Sequence, residues 1–120
     1  MDRRVFHIRD KLSQNLGRRW SVDDMAAEVK MSAAHFKRLF KEETGVNPTA
    51  YLQAQRLERA RELLSDTQCY LGVKEIGYQI GITNKGQFTR EFRKLTGFTP
   101  TEFREMYAAM ERSNSQTEHE

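Results

Sequence analysis

One stretch of apolar and turn-forming residues occurs twice in this chain, and that repetition limits the possible folds more than any other feature. Val22, Met25, Ala26, Val29 and Met31 return 51 residues later as Val73, Ile76, Gly77, Ile80 and Ile82. After one inserted residue, Phe36, Phe40, Thr44, Gly45, Pro48 and Tyr51 return 52 residues later as Phe88, Phe92, Thr96, Gly97, Pro100 and Phe103. Eleven positions matched in this order are hard to obtain by chance. Within each copy the apolar residues step by three and four, the spacing of one helix face, so each copy reads as a short helix, a tight turn and a second helix.

Extended along the chain, the same spacing predicts an all-α fold of seven helices, with two helix-turn-helix subdomains joined by a long linker helix. A first helix over about 3–15 carries Val5, Ile8, Leu12 and Leu16 on one stripe and ends at Gly17. Ser21 stands three residues before Asp24, a capping pattern that opens the second helix. Ser32 caps the third, which carries Phe36, Leu39 and Phe40 inward and stops at Gly45. Asn47 and Pro48 open a fourth helix to about residue 65, with Leu57, Ala60, Leu63 and Leu64 on its buried side. The second repeat gives helices over about 73–80 and 85–96. A last helix, capped by Thr99, runs from Pro100 to about Met110. The expected organisation is a first subdomain over 1–47, a linker helix over 48–66, a second subdomain over 67–110 and a flexible tail over 111–120.

Composition narrows the class. Charged residues make up 31% of the 120 and the hydrophobic class 38%, which excludes disordered, collagen-like and membrane-spanning chains. The net charge is +3, but the last ten residues contribute −2, so the first 110 carry +5. Such a balance suits plain solubility or a polyanion partner, and only the placement of the charge separates these. Cys69 is the single cysteine, which excludes an internal disulfide and a cysteine-based zinc site and suits the cytoplasm. The residues after Met1 lack the apolar core of a signal peptide.

In each repeat the small residue of the first helix, Ala26 or Gly77, lets the two helix axes approach closely. Gly81 supplies a residue tolerant of positive φ at the second turn. Lys30 holds the corresponding place in the first. That turn either accepts a left-handed lysine, at a cost of roughly a kilocalorie per mole, or takes another shape.

A bundle of merely packed helix pairs would show the same spacing, so the outward faces decide. With Phe36 and Phe40 facing the core, the 100° step of a helix puts Ala34, Arg38 and Lys41 on the opposite side and Lys37 at its flank. From Phe88 and Phe92 the same step exposes Gly86, Arg90 and Arg93, with Lys85 and Thr89 at the flank. Arg38 is equivalent to Arg90 and Lys41 to Arg93, and none has an evident acidic partner on its own face. Arginine can hold guanine O6 and N7 with two hydrogen bonds in the major groove, whereas lysine suits a phosphate. Ala34 and Gly86, one turn earlier, let the helix start sink into the groove. Arg56, Arg59 and Arg61 have Glu58 and Glu62 beside them and read as surface ion pairs of a scaffold helix.

These residues resemble a known family. Arg56, Leu57, Glu58, Arg59 and Ala60, then Ile76, Gly77, Tyr78 and Gly81, then Phe88, Phe92, Gly97, Thr99 and Pro100 are similar to the signature of the AraC/XylS transcription regulators, over about residues 5–107. The resemblance implies sequence-specific binding of double-stranded DNA by the third and sixth helices in adjacent major grooves. The matching positions are Ala34, Lys37 and Arg38, then Lys85, Gly86, Thr89 and Arg90. It also implies activation through contact with RNA polymerase. Family members commonly carry a separate sensing and dimerising domain, for which this chain has no room. It is therefore expected to be either an excised domain of a longer regulator, the favoured reading, or a small stand-alone regulator, and monomeric as an isolated domain.

Other classes are weaker fits. The sequence holds no zinc-binding histidine pair, phosphate-cradling glycine loop or nucleophile elbow, so neither an enzyme nor a cofactor is expected. His7, His35 and His119 read as solvent-facing or satisfied imidazoles, and Cys69 as inert. RNA binding lacks exposed stacking aromatics, since the repeated ones face the core. A helical module whose basic face takes an acidic protein partner stays open at this level.

Overall fold

The structure, a computed structural model, describes residues 1–118, with side chains described through residue 114. Seven α-helices account for nearly all of it: α1 (Arg3–Gln14), α2 (Val22–Glu28), α3 (Ala33–Thr44), α4 (Pro48–Ser65), α5 (Val73–Ile80), α6 (Lys85–Thr96) and α7 (Pro100–Glu118). There is no strand among the described residues. The chain divides into two compact units, Met1–Arg56 and Leu57–Glu120.

In the first unit Val5, Ile8 and Leu12 of α1 are buried with Met25 and Ala26 of α2, Phe36 and Phe40 of α3, and Leu52 of α4. In the second, Ile76 and Ile80 of α5 join Ile82, Phe88 and Phe92, Phe103 of α7, and Leu57, Ala60 and Leu64 of α4. Helix α4 is therefore no bare spacer, because each part of it fills the core of one unit. No polar or charged residue is buried among those described, so apolar burial and ring packing hold both cores together.

The repeat recurs in three dimensions down to individual atoms. Phe40 meets Phe36 and Tyr51 at centroid distances of 5.7 and 5.3 Å, and Phe92 meets Phe88 and Phe103 at 6.0 and 5.2 Å. Gly45 and Gly97 end their helices with φ of 84° and 85°, a conformation open to glycine because it lacks a Cβ. Just before them, the Thr44 hydroxyl lies 2.8 Å from the Phe40 carbonyl and the Thr96 hydroxyl 3.0 Å from the Phe92 carbonyl.

The helix starts follow the expected chemistry. The Asp24 N–H donates to Ser21 Oγ at 3.0 Å while the Ser21 N–H donates to Asp24 Oδ2 at 2.9 Å, a reciprocal capping box. Thr99 and Glu102 form a second such box at α7. Ser32 caps α3 through the His35 N–H, and Asn47 caps α4 through the Ala50 N–H.

One expectation needs correcting. The last helix, expected to end at about Met110, continues to Glu118. The segment 111–118 contains no glycine or proline, and once a helix is nucleated each further residue adds one hydrogen bond at little cost. The end of the expected tail, including His119, lies outside the described residues.

Candidate nucleic-acid interface

Both helix-turn-helix turns close in the same way. The Met31 N–H reaches the Ala26 carbonyl at 3.0 Å, and the Ile82 N–H reaches the Gly77 carbonyl at 3.0 Å. Between the helices Lys30 takes φ of 57° and Gly81 takes 86°, so the lysine accepts the left-handed conformation instead of reshaping the turn. A Cβ built on Gly77 would lie 2.8 Å from the Ile82 carbonyl oxygen and 3.5 Å from the Phe88 ring, which measures how closely the second pair is packed.

These turns fix the roll of α3 and α6. Phe36 and Phe40 are buried, so Ala34, Lys37, Arg38 and Lys41 emerge exposed on the other side of α3. Phe88 and Phe92 do the same for α6, leaving Lys85, Gly86, Arg90 and Arg93 exposed and Thr89 half-buried at the flank. Each expected set thus lies together on one helix of one unit. A Cβ on Gly86 would sit 3.3 Å from Arg90 Nη1, so the Arg90 guanidinium reaches back over the place where Gly86 has no side chain.

Partnering separates these cations from most others. Arg4 pairs with Asp2 at 3.1 Å, Lys11 with Glu28 at 3.2 Å and Arg59 with Glu62 at 2.9 Å. Arg18 stacks 3.8 Å from the Trp20 ring centroid. Among the described residues no hydrogen bond or ion pair engages the side chain of Lys37, Arg38, Lys41, Lys85, Arg90 or Arg93. Of the six, Arg93 feels a nearby carboxylate, that of Glu102; exposed cations with so few internal contacts can meet an anion at little cost of broken contacts.

Arg56 departs from its expected pairing with glutamate. Its Nε donates to the Leu16 carbonyl at 3.0 Å and its Nη2 to the Arg18 carbonyl at 2.8 Å, tying the chain after α1 to α4. Half-buried there, it has its pKa drawn below the usual arginine value by desolvation. His35 and Gln87, which the face calculation passed over, hold equivalent first-turn positions in α3 and α6 and are exposed. The 52-residue offset is the signal that pairs them. No helix among the described residues is long and apolar enough to cross a membrane, and they contain no cluster of potential metal ligands.

A helix-turn-helix domain model matches residues 25–106, most of the chain. The arabinose operon regulatory protein of Escherichia coli is 30% identical over 105 residues, covering 87% of this chain and 35% of that protein. The chain belongs to the AraC/XylS family. An uncharacterized HTH-type transcriptional regulator of Bacillus subtilis, YfiF, is 38% identical over 101 residues, which are 84% of this chain and 30% of that protein. The chain spans about a third of the length of the curated relatives it matches. Among solved structures, the DNA-binding domain of AdpA, a global transcriptional factor crystallised with a target DNA, superposes with a TM-score of 0.83. That match has 26% identity and covers 91% of this chain and 96% of that one. The family is one of DNA-binding transcription regulators, and the all-α fold with two helix-turn-helix units is theirs.

Proposed function

We propose that this AraC/XylS-family domain reads an asymmetric duplex site with α3 and α6 in adjacent major grooves, and that it serves a transcription activator. The observation that carries this reading is the recurrence of one exposed, unpartnered arginine, Arg38 and then Arg90, on the face opposite a buried phenylalanine pair. Each arginine meets a base edge, with guanine the best match for its two-pronged donor. Lys37, Lys41, Lys85 and Arg93 hold phosphates on either side, and Thr89 lies at the flank of the second face. Ala34 and Gly86 keep the leading turn narrow enough to enter the groove. His35 and Gln87 stand beside these faces as further contacts. The AdpA domain supports the reading because its structure holds a target DNA. Contact with RNA polymerase follows from the family resemblance, and the isolated domain acts as a monomer.

Selection from random duplexes tests the assignment. The expected product is one enriched site with unlike halves about 10–10.5 bp apart, because two unequal heads enter grooves one turn apart. Salt-sensitive binding with no enriched sequence would contradict it, since any basic face gives that and an acidic protein would serve as well.

A further inference from the structure

A cavity of about 390 Å³ opens in the second unit, within the ~300–1,000 Å³ range of small-molecule sites. Val73 and Gly77 of α5 and Phe88 of α6 form an apolar floor, and Lys74, Thr83, Lys85 and, from α7, Thr101 complete the lining. No acidic residue lines it. Neither lysine has a carboxylate partner among the described residues; Lys74 rests 5.9 Å from the Tyr78 ring centroid.

The repeat supplies an internal control for what the fold requires here. The floor is common to both copies, since Val73, Gly77, Phe88 and Thr101 correspond to Val22, Ala26, Phe36 and Thr49. The cations are not, because Lys74 and Lys85 correspond to Asp23 and Ala33. Packing of a helix-turn-helix unit therefore does not call for these two lysines. They add positive charge at a hollow whose floor is apolar.

We propose that this cavity binds a small amphipathic organic anion, an aryl or short-chain carboxylate, with its apolar body on Val73, Gly77 and Phe88 and its carboxylate between Lys74 and Lys85. Inorganic phosphate has no apolar part to cover the floor. A neutral hydrocarbon leaves the lysines unpaired, and a cation is repelled by them. Lys85 is also the first residue of α6 and one of the phosphate contacts proposed above. A bound carboxylate withdraws it from DNA, so the ligand opposes binding at the half-site read by α6. This last step rests on the DNA reading; the cavity's own binding does not.

The test titrates the isotope-labelled 120-residue chain with a naphthoate, with the uncharged naphthylmethanol of like shape, and with inorganic phosphate. The naphthoate is expected to shift the amides of Val73, Gly77 and Phe88 saturably and to leave those of Val22, Ala26 and Phe36 unmoved. Lys74→Gln and Lys85→Gln, both at exposed positions, should each weaken it by roughly tenfold or more. Shifts scattered over both units, equal binding of phosphate, or affinity indifferent to both substitutions would overturn the site. In a duplex-displacement assay the naphthoate should lower DNA affinity for the parent chain more than for Lys74→Gln; unchanged DNA affinity in its presence would overturn the antagonism. A chain that bound naphthoate at these residues and no duplex would sink the DNA reading while supporting the site.

Discussion

Gly77 and Ala26 hold one position in two copies of the same turn, and the difference is a single methyl group. At Gly77 that methyl would meet a backbone oxygen at 2.8 Å, which only a shift of the turn relieves. Gly77→Ala should lower the unfolding free energy by about 1–3 kcal/mol, despite alanine's better helix propensity. Urea denaturation would measure it, and a variant as stable as the parent would show that the second turn is looser than its geometry implies. Lys30 is the converse case. Its φ of 57° costs a residue with a Cβ, so Lys30→Gly should raise stability by about 0.5–1 kcal/mol even after glycine's larger chain entropy is counted. A loss on this substitution would mean that the Lys30 side chain supports the turn. The sequence showed that this residue was unusual without deciding between strain and a different turn, because φ depends on packing from both flanking helices.

At the level of elements, the helix starts were readable because a cap is a local pattern of residue types. Ser21 with Asp24, Ser32, Asn47 and Thr99 all accept the hydrogen bonds their positions imply. The end of α7 was not readable, since no residue in 111–118 forces a helix to stop. Nor was the role of Arg56, whose acceptors lie 40 and 38 residues away in sequence and become neighbours only through the fold. The two capping boxes also set an acid response. Asp24 and Glu102 have lowered pKa values, chiefly because they accept the backbone N–H of Ser21 and Thr99. A lowered folded-state value means that the stabilisation is complete above the ordinary carboxylate range and is lost as pH falls through the lowered values. Asp2, held to about 2 by its hydrogen bond from Arg4, keeps its contribution to still lower pH. The Asp24→Asn, Glu102→Gln double variant should therefore lose less stability than the parent as pH falls below the ordinary carboxylate range, as followed by helical circular dichroism. Parallel acid curves would show that these boxes contribute nothing to folding.

Across the whole molecule, charge and function separate. Met1–Arg56 holds eleven Lys and Arg against seven Asp and Glu, whereas Leu57–Glu120 holds nine against ten. The second unit thus has no net positive charge to draw a polyanion, and the proposed reading rests its affinity for DNA on where Lys85, Arg90 and Arg93 stand on α6. Net charge alone would have misjudged this unit. The 52-residue offset identifies it, because it gives Arg90 the place in the second repeat that Arg38 has in the first. What the offset could not supply was partnering: that Arg38 and Arg90 make no hydrogen bond or ion pair while Arg4, Arg18, Arg56 and Arg59 are occupied is a property of the folded chain. The central claim, two unequal reading faces centred on those two arginines, is tested most directly by base preference at each position of the selected duplex, compared among the parent, Arg38→Ala and Arg90→Ala. Each variant should lose roughly 1–3 kcal/mol of discrimination at one or two bases, in opposite halves of the site, while Lys41→Ala weakens all sequences alike. Parental preference at every base in both arginine variants would contradict the account.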